Sequence, residues 1–189
     1  MNKEISCFKA YDVRGRIPSE LNEDVAYRIG VGIASFFSAQ SVVVGYDVRP
    51  SSIEILNALT KGINSMGAKV YSIGLCGTEE IYFATNHLET DAGVMITASH
   101  NPADYNGLKI VGKGAKPVSM DSGLGEIKEI ADQSESSLET EPKMELIDIK
   151  AEYIEKLLEF IDPNTIKPCL LYTSPSPRDL STSRMPSSA

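Results

Sequence analysis

The chain has 189 residues, of which 42% are hydrophobic and 23% charged, and its formal net charge is −8. This length points to one soluble globular domain, and this charge excludes general binding to nucleic acid or an anionic membrane surface, which would repel it. Cys7, Cys76 and Cys169 form neither a disulfide framework nor a metal-ligand spacing, no apolar run approaches the ~20 residues of a membrane helix, and no leader is visible in Met1–Lys9, so the expected compartment is the cytosol.

Phe8-Lys-Ala-Tyr-Asp-Val-Arg-Gly15 comes first and is expected to be a strand end running into a loop. Asn22 begins a helical pattern, with Glu23 and Asp24 at the positive end of the helix dipole and Val25, Ile29, Ile33 and Phe36 or Phe37 on the inner face. Ser41 to Asp47 is a continuous apolar run, as for a strand covered on both faces. In the loop that follows, Arg49 can bind phosphate through its planar fork, or it can pair with Asp47 or cap nearby structure. Ser51 or Ser52 is the expected cap of a helix whose inner stripe is Leu56, Leu59, Ile63 and Met66, ended by Gly67.

Lys69 to Gly74 reads as another strand. Thr78 is placed to cap the next helix, with Glu79 and Glu80 in its first turn, a structural rather than a catalytic role. Ala92-Gly-Val-Met-Ile96 then reads as a buried strand that stops at Thr97-Ala-Ser-His-Asn-Pro102. Asn101-Pro102 and Asn106-Gly107 are turn signals, and Leu108-Lys-Ile-Val111 is a second apolar run, so a tight loop is expected to return Lys109 towards Ser99 and His100. A serine oxygen there can carry a phosphoryl group, while lysine and loop amides hold its charge. Gly112 to Pro117 reads as a flexible basic connection, with Lys113 and Lys116 as surface charges. A helix is expected from Asp121 through Ile127, Ile130 and Ala131, then a polar loop from Gln133 to Lys143. A last helix carries Ile149, Tyr153, Leu157, Leu158 and Ile161, stopped by Asp162-Pro163.

The Thr97–Lys109 segment resembles the phosphoserine loop of the α-D-phosphohexomutases, the phosphoglucomutase/phosphomannomutase family, which reads roughly T-A-S-H-N-P, then N-G-x-K. Two further segments resemble the same family: Phe8–Gly15, with Lys9 in place of the usual arginine, and Tyr46–Ser52. Gly77-Thr-Glu-Glu-Ile-Tyr-Phe-Ala84 is similar to bacterial phosphomannomutases of the mannose-nucleotide pathways.

The resemblance implies a three-layer fold, a mixed β-sheet between helices, over 1–147, then a helix and linker at 148–168 leading towards a second domain. It implies that Ser99 carries the phosphoryl group, with His100, Lys109 and Arg14 as catalytic groups and Tyr11, Asn101 and Arg49 at the substrate. It further implies Mg²⁺ bound by the phosphorylated Ser99, a hexose phosphate substrate, and a bisphosphorylated sugar that turns round while bound. The family's D-G-D-x-D-R metal loop, G-E-x-S sugar loop and R-x-S-G-T-E-P phosphate loop are not in this sequence. An amino-terminal fragment without turnover of its own is therefore expected, of undetermined oligomeric state.

Residues 169–189 hold six Ser, three Pro and two Thr without helical or strand period, and are expected to be a disordered tail. Their abrupt loss of pattern resembles a frame error or an assembly junction. The alternatives are a phosphoglucomutase or phosphoglucosamine mutase fragment, a non-catalytic phosphate-binding module, or a serine hydrolase. The last lacks the G-x-S-x-G elbow and would place Ser99 and His100 on opposite faces of a strand.

Overall fold

The computed structural model describes residues 4–167, so the tail expected at 169–189 lies outside the described residues. In chain order the elements are β1 (Val13–Arg16), α1 (Glu23–Phe36), β2 (Ser41–Tyr46), α2 (Ser52–Ser65), β3 (Lys69–Leu75) and α3 (Thr78–His87). They continue with β4 (Ala92–Ile96), β5 (Tyr105–Gly112), β6 (Lys116–Pro117), α4 (Leu124–Gln133), β7 (Glu145–Leu146) and α5 (Lys150–Leu158). The strands form one sheet in the order β1-β5-β4-β2-β3-β7, with β6 paired to β5. β2, β3, β4 and β7 are parallel, and β5 runs antiparallel to β1, β4 and β6. This is the mixed α/β sheet that the sequence led us to expect.

Alternation along each strand divides the core. Val42 and Val44 of β2 and Val94 and Ile96 of β4 pack in one cluster with α1, α2 and α4. Val43 turns to Ala84 of α3, and Met95 to Ile81 of the same helix. Helices therefore cover both faces, which is why these strands read as unbroken apolar runs.

Helix α1 starts at Asn22, whose side chain accepts from Val25 N at 3.0 Å. It is buried on more than its apolar stripe. A Cβ on Gly62 of α2 would lie 2.0 Å from the Tyr27 carbonyl, so the two helices touch backbone to backbone. On its other side, the buried Arg28 donates to Ala131 O at 2.9 Å and Asp132 O at 3.1 Å, fastening α4.

Several expectations are corrected. Phe8–Gly15 is a turn that opens a strand rather than a strand running into a loop. Lys9 N donates to Asp12 O at 2.8 Å, and β1 starts at Val13 because β5 is there to pair with it. Met66 is the exposed C-cap of α2 rather than core, while Gly67, at φ +84°, ends that helix as expected. The cap of α3 is Gly77, not Thr78: its N–H donates to the Glu80 carboxylate at 2.6 Å, so Glu80 has a structural role. The basic connection is a tight turn at Lys113–Ala115 whose Lys116–Pro117 returns to β5. Helix α4 begins at Leu124, after a separate helical turn at Met120–Ser122. β7 falls outside every expected element; its two exposed residues are held by pairing with Tyr71 and Ser72.

Among the described residues the chain divides into two units, one up to Tyr153 and one from Ile154 onward. In the first, Ile149 is buried and Tyr153 lies 5.4 Å from Phe83, ring to ring. In the second, the helix ends at Leu158, short of the expected Ile161, and Pro163–Thr165 forms a separate turn capped by Asp162.

Burial holds the thiols of Cys7 and Cys76 protonated, pushing each from the ordinary 9.0 up to about 12. The unfolded chain releases those protons from about pH 9, so the stability they contribute is complete below pH 9 and is lost as pH rises towards 12. Urea unfolding of the native chain should show this loss, and a Cys7→Ala/Cys76→Ala chain should show a shallower one. Equal pH slopes for the two would refute it.

Candidate active site

The C-terminal ends of β2 and β4 lie at one edge of the sheet, and the loops that leave them meet there. After β4, Thr97 N donates to Gly107 O at 3.0 Å, and the Thr97 hydroxyl accepts from Ser99 N at 2.9 Å. Asn101 N closes a turn on Ala98 O, and Tyr105 N another on Pro102 O, each at 3.0 Å. Ser99 sits at the exposed tip with φ +55°. A left-handed serine costs about 1–3 kcal/mol and persists only where its surroundings over-determine it.

Arg49, from the loop after β2, supplies much of that determination. Nη1 donates to Pro102 O at 2.7 Å and Tyr105 O at 3.0 Å. Nη2 donates to Ser99 O at 2.9 Å and Asn101 O at 2.7 Å. Nε faces Asp47 Oδ2 at 3.2 Å as an ion pair. The side chain is only 11% exposed. The sequence admitted both a phosphate contact and a bond to Asp47; the structure shows the second and commits the other donors to loop carbonyls. Arg49 therefore staples the Ser99 loop through its backbone carbonyls.

Arg14 joins the same edge from β1. Nη1 donates to Asn101 Oδ1 at 2.6 Å, and Nη2 pairs with Asp12 at 2.5 Å. Tyr11, at the turn just before, is 80% exposed. Asn101 thus links the loop to both arginines, by its side chain to Arg14 and by its carbonyl to Arg49.

Lys109 is farther back. It pairs with Met95 in the β4–β5 register, inside the strand, and among the described residues it makes no hydrogen bond to Ser99 or His100. Its register places it on the face of β5 that also holds Gly107, the partner of Arg14, so Arg14 and Lys109 share one face of the sheet. His100 is exposed beside Ser99 in the turn; neither belongs to a strand, so the opposite-face argument does not apply to them.

Asn106-Gly107 is not a turn. Both lie in β5, buried. Asn106 Nδ2 donates to the hydroxyls of Ser51 at 2.9 Å and Ser52 at 3.1 Å, and its Oδ1 accepts from Gly107 N at 2.9 Å. The Ser52 hydroxyl donates to Asp47 Oδ1 at 2.9 Å; Ser51 is the N-cap of α2, as expected, but its hydroxyl makes no cap bond and ties the helix start to Asn106 of β5. A Cβ on Gly107 would lie 2.2 Å from Val13 O and 2.9 Å from Thr97 O. Sequence reasoning gave Asp47 no role beyond pairing with Arg49, gave Ser52 only a helix cap and Asn106 only a turn, and gave Thr97 none.

A family model described as phosphoglucomutase/phosphomannomutase, alpha/beta/alpha domain I, matches residues 6–138. The chain belongs to the phosphoglucomutase/phosphomannomutase family. Proteins named phosphohexose mutases from Xanthomonas campestris pv. campestris are 48% identical over 169 residues, covering 88% of this chain and 38% of theirs. A phosphomannomutase of Vibrio cholerae serotype O1 is 45% identical over 175 residues, covering 89% and 38%. A phosphoglucomutase/phosphomannomutase family protein from Burkholderia thailandensis superposes with a TM-score of 0.71 at 32% identity, over 86% of this chain and 37% of that one. The chain thus spans about 38% of the length of these curated relatives.

In this phosphohexomutase-family domain, Gly107→Ala forces a methyl group onto two carbonyl oxygens where β1, β5 and the Ser99 loop meet. It should cost about 3 kcal/mol, read as a lower urea midpoint. An unchanged midpoint would show that the strands separate freely there.

Proposed function

We propose that this chain provides the phosphoserine domain of a phosphohexomutase of phosphomannomutase type, interconverting mannose 6-phosphate and mannose 1-phosphate. The observation that carries this reading is Ser99: an exposed hydroxyl at a strained loop tip, beside Arg14 and Asn101, at the edge where the sheet gathers its loops. The names of the Vibrio and Escherichia coli relatives support mannose, as does the Gly77–Ala84 segment. Glucose and glucosamine phosphates are the competing substrates. The same reading places the reaction in mannose-nucleotide supply and in the cytoplasm. Among the described residues no helix is long and apolar enough to cross a membrane.

The reaction runs in two transfers. Phosphorylated Ser99 gives its phosphoryl group to the free hydroxyl of a hexose monophosphate: the P–O bond to Ser99 breaks, a P–O bond to the sugar forms, and the hydroxyl proton passes to His100 or Lys109. The bisphosphate turns over in the site. Its other phosphoryl group then returns to Ser99, and the proton returns to the sugar oxygen. Arg14 offsets charge on the moving group, and Tyr11 and Asn101 contact the sugar phosphate.

Mg²⁺ would be held by the phosphate on Ser99 and would act as a charge clamp. The protein oxygens at hand do not complete a site for it. Among the described residues no three His, Cys, Asp or Glu side chains converge, and Asp12, Asp47 and Asp104 each pair with an arginine. The remaining ligands belong to the length found only in the relatives.

The purified 189-residue chain should therefore give no turnover in a coupled mannose phosphate assay. Joined to the remaining length of the Vibrio relative, it should turn over, and Ser99→Ala should abolish both activity and the phosphoryl group seen by intact mass. Brisk turnover by the 189-residue chain would overturn the incomplete-site reading. A phosphoryl group retained by Ser99→Ala would move the nucleophile elsewhere.

A further inference from the structure

The bonds of Arg49 fall on Ser99 itself and on Asn101, Pro102 and Tyr105, the residues of the turns that follow it. We infer that Arg49, held by Asp47, is a positioning residue for phosphoryl transfer: it sets the left-handed backbone of Ser99 and touches neither sugar nor phosphate. The significance of that role rests on reading Ser99 as the phosphoryl carrier.

Two peptide groups flank the Cα of Ser99, and their orientations define its φ and ψ. The N–H of the first is bound by the Thr97 hydroxyl at 2.9 Å. The C=O of the second is bound by Arg49 Nη2 at 2.9 Å. With both planes fixed, the hydroxyl of Ser99 has one backbone to project from, the strained one. The Thr97 bond is local, spanning two residues at the end of β4. The Arg49 bond comes from the loop that follows β2 and therefore refers Ser99 to a second strand of the sheet.

Arginine suits this task for a geometric reason. A planar fork can meet several carbonyls at once, whereas a lysine ammonium on a flexible stem cannot hold the same set. The fork is itself fixed: Asp47 pairs with Nε, accepts from the Arg49 backbone N–H at 3.0 Å and accepts from Ser52. Arg14 differs. Its side chain is 25% exposed, against 11% for Arg49, and its bonds go to two side chains, Asp12 and Asn101, which leaves it able to meet a phosphate.

The test uses the isotope-labelled 189-residue chain and the variants Arg49→Lys, Arg49→Met and Asp47→Asn. The readouts are the amide–Hα coupling and Cα shift of Ser99, and amide exchange across 99–105. Expected are a left-handed signature in the native chain, its loss in both Arg49 variants, and exchange of the loop amides faster by roughly tenfold, with β2 and β4 amides unchanged. Asp47→Asn should give a smaller change in the same direction. A native signature in Arg49→Lys, which keeps charge and stem and so guards against a misfolded Arg49→Met, overturns the inference. The readout is conformation, not turnover. A Ser99 that never takes phosphate would sink the functional reading and leave this result standing, whereas an unmoved Ser99 sinks Arg49 whatever Ser99 carries.

Discussion

The candidate site depends on one buried cation. The guanidinium of Arg49 gathers carbonyls that a solvent-exposed loop would otherwise turn to water, and it does so from the loop that follows the neighbouring strand β2. Charge-assisted bonds of this kind are roughly twice as strong as neutral ones. Asp47 makes the arrangement affordable, because an arginine this buried needs a counter-charge. The serine at the tip can then be both exposed and ordered, two properties that loops seldom combine.

A second polar layer lies beneath the first. The Asn106 amide, fully buried, connects β5 to the start of α2, and the Ser52 hydroxyl passes that connection on to Asp47. β1, β2, β4 and β5 are thereby joined at one edge by side chains as well as by their ladders. Arg14 enters this edge through Asn101, so the turn carrying Tyr11 and the turn carrying Ser99 share a bond.

Much of this was legible in the residues. Unbroken valine runs gave the buried strands, Asn22 gave a helix start, and the Thr97–Lys109 segment gave the family and its serine. What was not legible has physical causes. Asn106-Gly107 carries the dipeptide signal of a hairpin turn, but tertiary pairing overrides it, because the strand needs a residue without a side chain against Val13 and an amide against Ser51 and Ser52. The partners of Arg49 are backbone carbonyls, and no side-chain pattern announces a carbonyl. β7 has two exposed residues, too few to show a period. Thr78 was a plausible cap by type, yet Gly77 holds that position; Ser51 does hold the cap of α2, but its hydroxyl makes no cap bond.

The small strand β7 has a topological consequence. It lies parallel to β3, and through β3 to β2 and β4, so the chain emerges from it heading towards the edge that holds Ser99. Had Glu145 and Leu146 paired antiparallel, the polypeptide would have been released at the opposite end, beside Gly67 and Lys69. The direction of two residues thus decides towards which end of the sheet the chain leaves β7.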